Sequence, residues 1–323
     1  MKRSHSIQHA ISSYSRQALR CFLSVCLLAA ASARADDYTG WQTSHPEWEL
    51  VFHDDFNGTT LDTSKWNKID YVSWNAPDWR RYQSRDDELV TVNGDGTVSL
   101  WGKFGDYTSQ ADQTGASDTY ACGGIFTNQT FTFQYGYVEV RAQFNCKDGA
   151  WPAIWMMPTD GSDWPKNGEI DIMEHLNWEG VVFQTIHYKN ASGDNVSQST
   201  QKGSGSTAWF PTVEDKEAFH TYGVEWTEQG IKFFMDGKCT ASFDTETSNP
   251  NWPFNKEDNP YYLMLDMQLG GSWVGEIGEL GDGAVMNIDY VRVYSTPQVV
   301  PEAATATLSL MALAALALRR RRK

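Results

Sequence analysis

Between Gly168 and His175 the chain reads Glu169-Ile170-Asp171-Ile172-Met173-Glu174, three carboxylates within six residues. On a helix, Glu169 and Asp171 would stand about 200° apart and could not serve one substrate. On a strand they share a face while Ile170 and Ile172 point into a core. Strict alternation would then turn Met173 outward and bury Glu174. One extra residue near Ile172–Met173, a β-bulge, returns Glu174 to the acidic face, and bulges are frequent beside active sites. Crowded carboxylates repel one another and are costly without a purpose. A solvated edge strand or a calcium site would also gather acids, but the apolar alternates suit a central strand. Retaining cleavage of a glycosidic bond needs two carboxyl groups about 5–5.5 Å apart. At roughly 6.7 Å per two strand residues, Glu169 and Glu174 start about 13 Å apart at the backbone, so the sheet must be curved. With Glu169 charged, its neighbour Glu174 is pushed to keep a proton. Once Glu169 is glycosylated, Glu174 can act as a base on water. Asp171, between them, would hold Glu169 by hydrogen bonding.

Sugar chemistry also needs rings. All 14 Trp lie between Trp41 and Trp273, well inside the chain ends. Most of them should pack a core, yet some sit in polar, Pro-broken stretches. Tyr71-Val-Ser-Trp-Asn-Ala-Pro-Asp-Trp-Arg-Arg-Tyr82 joins rings to amide and guanidinium groups, making Asn75, Trp79 and Arg81 candidates for substrate binding. Trp151 and Trp155 alternate onto one face of Gly149-Ala-Trp-Pro-Ala-Ile-Trp-Met-Met-Pro158, as cleft platforms or as core.

The elements that must carry these groups read as strands. Val138–Phe144, Thr97–Trp101 and Asn287–Tyr294 alternate apolar and polar residues. Turn signals separate them at Asn93-Gly-Asp-Gly96, Asp236-Gly237 and Gly281-Asp-Gly283. Amphipathic helices of three or more turns are not legible in the body, and the pattern predicts a sandwich or jelly roll. The first 35 residues combine Lys2, Arg3, Arg16 and Arg20, an apolar run and Ala33-Arg34-Ala35, the pattern of a secretory signal peptide. Residues 36–299 hold 16 basic against 40 acidic residues, a net charge of −24. That excess repels nucleic acid and anionic membranes and favours a neutral glycan. After such a cleavage Cys122, Cys146 and Cys239 remain. A Cys122–Cys146 bridge and three buried thiols are equally compatible with that count.

Glu-Ile-Asp-Ile-Met-Glu after Gly149–Pro158 resembles glycoside hydrolase family 16, in its bulged ExDxxE branch of laminarinases, agarases and endo-β-galactosidases. Phe219-His-Thr-Tyr-Gly-Val-Glu-Trp226, Gly270-Gly-Ser-Trp273 and Ile288-Asp-Tyr-Val-Arg-Val-Tyr294 extend the resemblance over roughly residues 46–295. It implies an all-β, concanavalin A-like jelly roll of two curved antiparallel sheets with a cleft on the concave face, occupying residues 36–296. It also implies Glu169 as nucleophile, Asp171 as helper and Glu174 as acid/base, with His187 and Trp273 in the cleft. No cofactor is required; a structural calcium ion near Asp289 is an option some relatives suggest. Residues 297–323, with Val300-Pro-Glu302, an apolar span and a terminal Arg cluster, resemble a PEP-CTERM sorting tail. The resemblance thus implies an exported, monomeric, retaining endo-β-glycosidase whose domain makes no membrane contact. Glu174-His-Leu-Asn-Trp178 and Phe183-Gln-Thr-Ile-His187 lean towards endo-β-galactosidases acting on poly-N-acetyllactosamine, as in mucin O-glycans. Laminarin, agar or porphyran remain the alternatives. A non-catalytic carbohydrate-binding jelly roll, or a transglycosylase, would keep many of the same rings.

Overall fold

The structure is a computed structural model that describes residues 45, 47–70, 77–107, 119–199 and 217–295. The expected signal peptide, Asn75 and the 297–323 tail lie outside the described residues. The chain divides into two compact units, Met1–Trp48 and Glu49–Lys323. The second is built from strands β1 (Glu49–Asp54), β2 (Asn67–Lys68), β3 (Val90–Val92), β4 (Val98–Gly105), β5 (Thr119–Cys122), β6 (Gly124–Phe126), β7 (Gly136–Asn145) and β8 (Ala150–Pro158). They are followed by β9 (Glu169–Glu174), β10 (Phe183–Lys189), β11 (Asn195–Ser199), β12 (His220–Thr227), β13 (Gly230–Met235), β14 (Lys238–Asp244), β15 (Tyr261–Leu269) and β16 (Ala284–Ser295). No α-helix occurs among the described residues.

Two antiparallel sheets form. One runs β14-β13-β12-β7-β16-β4-β3, with β1 on β16 and β5 on β4; the other runs β11-β10-β9-β8-β15-β6-β2. The alternating stretches fall in β7, β4 and β16 as their period requires. Asp236 and Gly237, both at positive φ (49° and 71°), make the two-residue turn between β13 and β14. The inward faces of the sheets meet in one apolar core containing Val138, Val140, Ile154, Met156, Ile170, Ile172, Met173, Ile186, Val224, Leu263, Leu265, Val291 and Val293.

The central strands of the seven-stranded sheet are covered on both faces, which is why β8 and β15 read as nearly unbroken apolar runs. On their outer face a second cluster of Ile69, Ala153, Trp155 and Met264 packs against Trp79, Phe126, Met157 and Tyr262. That outer face carries the cleft. None of Cys122, Cys146 and Cys239 is joined in a disulfide; the first two are buried and the third is exposed. The Cys122–Cys146 bridge is therefore absent.

Candidate active site

The bulge lies where strand periodicity required it. Against β10, Asp171 faces Thr185 and Glu174 faces Phe183, so three steps along β9 match two along its neighbour. Against β8, Asp171 faces Trp155 and Met173 faces Ile154, which leaves Ile172 as the extra residue. Ile172 and Met173 both turn inward and are fully buried. Glu169, Asp171 and Glu174 consequently line one cleft of about 780 Å³, together with Trp79, Trp151, Trp155, Phe183, His187 and Trp273.

Each carboxylate has its own partner. The Trp164 indole Nε1–H donates to Glu169 Oε2 at 2.6 Å, and that of Trp151 to Glu174 Oε1 at 3.0 Å. His187 Nε2 stands 3.2 Å from Asp171 Oδ2 and 4.0 Å from Glu169 Oε1. Burial and the adjacent Asp171 push the Glu169 carboxyl up to about 8. Glu174 is pushed well up by burial, then by Asp171 and Glu169. Burial pulls His187 down, but the Asp171 and Glu169 carboxylates outweigh it and raise the imidazole to about 9. His187 is thus a cation beside Glu169, whereas the charged neighbours of Glu174 are acids.

A fourth carboxylate lies beneath the floor. Asp266 on β15 is fully buried and accepts hydrogen bonds from Trp155 Nε1, Gln83 Nε2 and Gln268 Nε2 at 2.9, 3.0 and 3.2 Å. Burial still raises it to about 7, against the pull of Trp155 and Gln268.

The remaining candidates separate. Trp155 contributes to the floor as a buried ring, edge-on to Trp79 at 5.0 Å between centroids. Trp273 is exposed and meets Trp151 and Phe183 edge-on, both at 5.2 Å, so it forms a wall. Arg81 does not line this cleft. The one-turn 3-10 helix Asp78–Arg80 turns Trp79 inward and sends Arg81 out, where its Nη2 pairs with Asp78 at 3.0 Å and the side chain is 44% exposed. The expectation for Arg81 is corrected on that ground. Asp289, the expected neighbour of a structural calcium ion, lies outside the cleft. It occupies a bulge of β16 and is committed to the Arg141 guanidinium at 2.5 Å. Among the described residues, only Glu169, Asp171 and His187 cluster closely enough to hold an ion, with ligand atoms within 4.8 Å.

Sequence reasoning missed Trp164, Phe183, Thr185, Ser197, Ser199 and Gln268, all of which line the cleft. Trp164 left a signal. It sits in a Trp-Pro-Lys-Asn-Gly turn that ends at Gly168, whose φ of +88° delivers the chain into Glu169. Phe183 and Thr185 also left one, since they alternate onto the face of His187, whereas Ser197, Ser199 and Gln268 reach the cleft through strand pairing.

The sequence profile described as "Glycosyl hydrolases family 16" matches residues 80–292. The keratan-sulfate endo-1,4-beta-galactosidase of Sphingobacterium multivorum is 33% identical over 261 residues, 78% of this chain and 56% of that protein. The chain thus spans about half of that relative. The beta-glucanase of Rhodothermus marinus is 34% identical over 264 residues, covering 77% of this chain and 86% of its own. A solved structure from work on endo-acting O-glycanases, which human gut microbiota express to initiate mucin breakdown, aligns with a TM-score of 0.64 at 29% identity. That alignment covers 80% of this chain and 94% of the other.

Proposed function

Because the chain belongs to glycosyl hydrolases family 16, we propose that it is a retaining endo-β-glycosidase in which Glu169 is the nucleophile and Glu174 the acid/base. One observation carries this reading: the bulge at Ile172 sets three carboxylates on the floor of a ring-walled cleft. The order of titration supports the roles. His187 and the Trp164 N–H favour a charged Glu169, while acids press on Glu174 from several sides. Glu169 therefore loses its proton first, and Glu174 still holds one when Glu169 is ready to attack. In the first step a Glu169 oxygen bonds the anomeric carbon as the glycosidic C–O bond breaks, and Glu174 gives its proton to the leaving oxygen. Forming the ester removes the charge of Glu169 and lowers the pressure on Glu174. Glu174 then takes a proton from water, which attacks the same carbon and releases Glu169. Asp171, beside both Glu169 and His187, orients the nucleophile.

For the substrate we favour poly-N-acetyllactosamine of the mucin O-glycan type, cut at internal β-1,4-galactosidic bonds. The keratan-sulfate enzyme and the O-glycanase structure support this choice. The comparable match to a beta-glucanase keeps a β-1,3-glucan as the second reading. The acidic body, with its net charge of −24 over residues 36–299, disfavours heavily sulfated galactans. Export, read from the first 35 residues and the C-terminal tail, fits a polymer too large to enter a cell. The test is digestion of keratan, porcine mucin O-glycans and laminarin, with sizing of the products. Galactose-terminated oligosaccharides from the first two support the reading, and glucose oligomers from laminarin alone overturn the choice of substrate. Glu169→Ala separates enzyme from binding protein, since a lectin would be indifferent to it and an enzyme would lose turnover while still holding glycan.

A further inference from the structure

β10 presents Phe183, Thr185 and His187 to the cleft and Ile186 and Tyr188 to the core. Gln184 shares the core face and is wholly buried. A primary amide among apolar side chains is tolerated only when its groups are hydrogen-bonded. Gln184 Nε2 donates to the carbonyl of Ile172 at 3.0 Å and to that of Phe234 at 3.2 Å, and Oε1 accepts from Thr240 Oγ1 at 2.5 Å. Ile172 is the extra residue of the β9 bulge. Thr240 is the extra residue of another bulge, where Phe233 and Phe234 of β13 face Ala241 and Cys239 of β14. One buried amide therefore crosses the sandwich and ties an irregularity in one sheet to an irregularity in the other.

A bulged residue is left out of the strand ladder, so its carbonyl needs a partner from elsewhere. Without one, β9 gains by sliding to regular pairing, and a one-residue slip exchanges the faces of the residues beyond the slip. Met173 would face the cleft and Glu174 the core. The bond from Gln184 to the Ile172 carbonyl exists only in the bulged register. We propose that Gln184 is a positioning residue for the acid/base, locking the bulge that turns Glu174 towards the cleft. This rests on the reading of Glu174 given above.

Two variants and two readouts test it. Gln184→Met keeps the length and volume of the side chain without its hydrogen bonds, and Thr240→Val frees the amide while leaving Gln184 in place. Turnover of the glycan that the wild type cleaves is compared with that of the 2,4-dinitrophenyl glycoside of its product, assayed with azide. Dinitrophenolate departs with the bonding electrons and needs no proton, and azide displaces Glu169 without a general base, so this route bypasses Glu174. Gln184→Met is expected to lower kcat on the glycan at least 30-fold with little change in KM, and to stay within threefold of wild type on the dinitrophenyl glycoside. Thr240→Val should move the same way, by three- to tenfold. Equal losses on both substrates, or no loss on either, would overturn the proposal. Hydrogen exchange reads the bulge without any substrate. The amides of residues 171–174 should exchange at least tenfold faster in Gln184→Met while those of β15 hold their protection. Unchanged exchange there sinks the lock even if the wild type cleaves glycan as expected. Faster exchange with a wild type that cleaves nothing keeps the lock and removes only the functional reading.

Discussion

Replacing His187 by glutamine removes one charge and keeps a hydrogen-bonding side chain of similar reach. His187 Nε2 lies 4.0 Å from Glu169 Oε1. Two unit charges about 4 Å apart interact by about 4 kcal/mol at an effective dielectric constant near 20. The imidazole is 26% exposed, so solvent takes a share of this. Halving it leaves ~2 kcal/mol, or about 1–2 pH units at ~1.4 kcal/mol per unit. The cation favours the charged nucleophile, so its loss raises the pH at which Glu169 ionises. The acidic limb of kcat/KM, which reports the free enzyme, should move upward by that amount in His187→Gln. Because His187 itself titrates at about 9, the wild type also lacks the cation above that pH, and the two profiles should converge there. The assay is kcat/KM from pH 5 to 10 on whichever glycan the digestion experiment selects, with a melting curve at each pH. An acidic limb that stays put or moves down would refute the assignment of His187 as the charge that readies Glu169. A deficit that persists undiminished above pH 9 would do the same.

Trp164→Phe keeps a ring in the cleft but deletes the N–H that reaches Glu169 Oε2. A hydrogen bond to a charged group is worth roughly 1.5–3 kcal/mol, so turnover should fall between about 10- and 150-fold, measured as kcat at saturating glycan. Glu169→Gln should raise stability while abolishing hydrolysis. The folded carboxyl, raised from 4.5 to about 8, costs nothing below its unfolded value and progressively more as pH climbs. Thermal unfolding should accordingly show no gain at pH 4 and up to ~3 kcal/mol at pH 7, from ~1.4 kcal/mol per unit; an equal gain at both pH values would contradict it. Gly168→Ala places a Cβ 2.2 Å from the Tyr261 hydroxyl at a φ of +88°. It should cost roughly 2 kcal/mol or more, seen as a lowered urea midpoint, and cut activity by shifting the entry to β9.

Much of this site was legible because side-chain direction along a strand is local. Glu169 and Asp171 are two residues apart, so they share a face in any strand. The clash between that period and Glu174 already called for an extra residue near Ile172. The same local rule set Trp151 and Trp155 on one face and the Asp236-Gly237 turn between two strands. It failed at Arg81. Trp79, Arg80 and Arg81 all lie in or against a single 3-10 turn, and which of them enters the cleft depends on how that turn packs on Trp155, 74 or more positions away. The thiols show the same limit. A count of three permits a bridge, and only the sheet order decides that Cys122 and Cys146 are each sealed separately in the core.

By itself, then, the sequence determined that this chain is all-β, that one strand carries three acids on one face, and that the strand must bulge to do so. Tertiary structure alone decided which groups meet those acids: the indoles of Trp164 and Trp151, the imidazole of His187, and the Gln184 amide tied to Thr240, 56 positions along the chain. The reason is one of range. Backbone geometry fixes where a side chain points over two or three residues, whereas the partner it finds there, and hence its charge, is set by strands that pair across the whole domain.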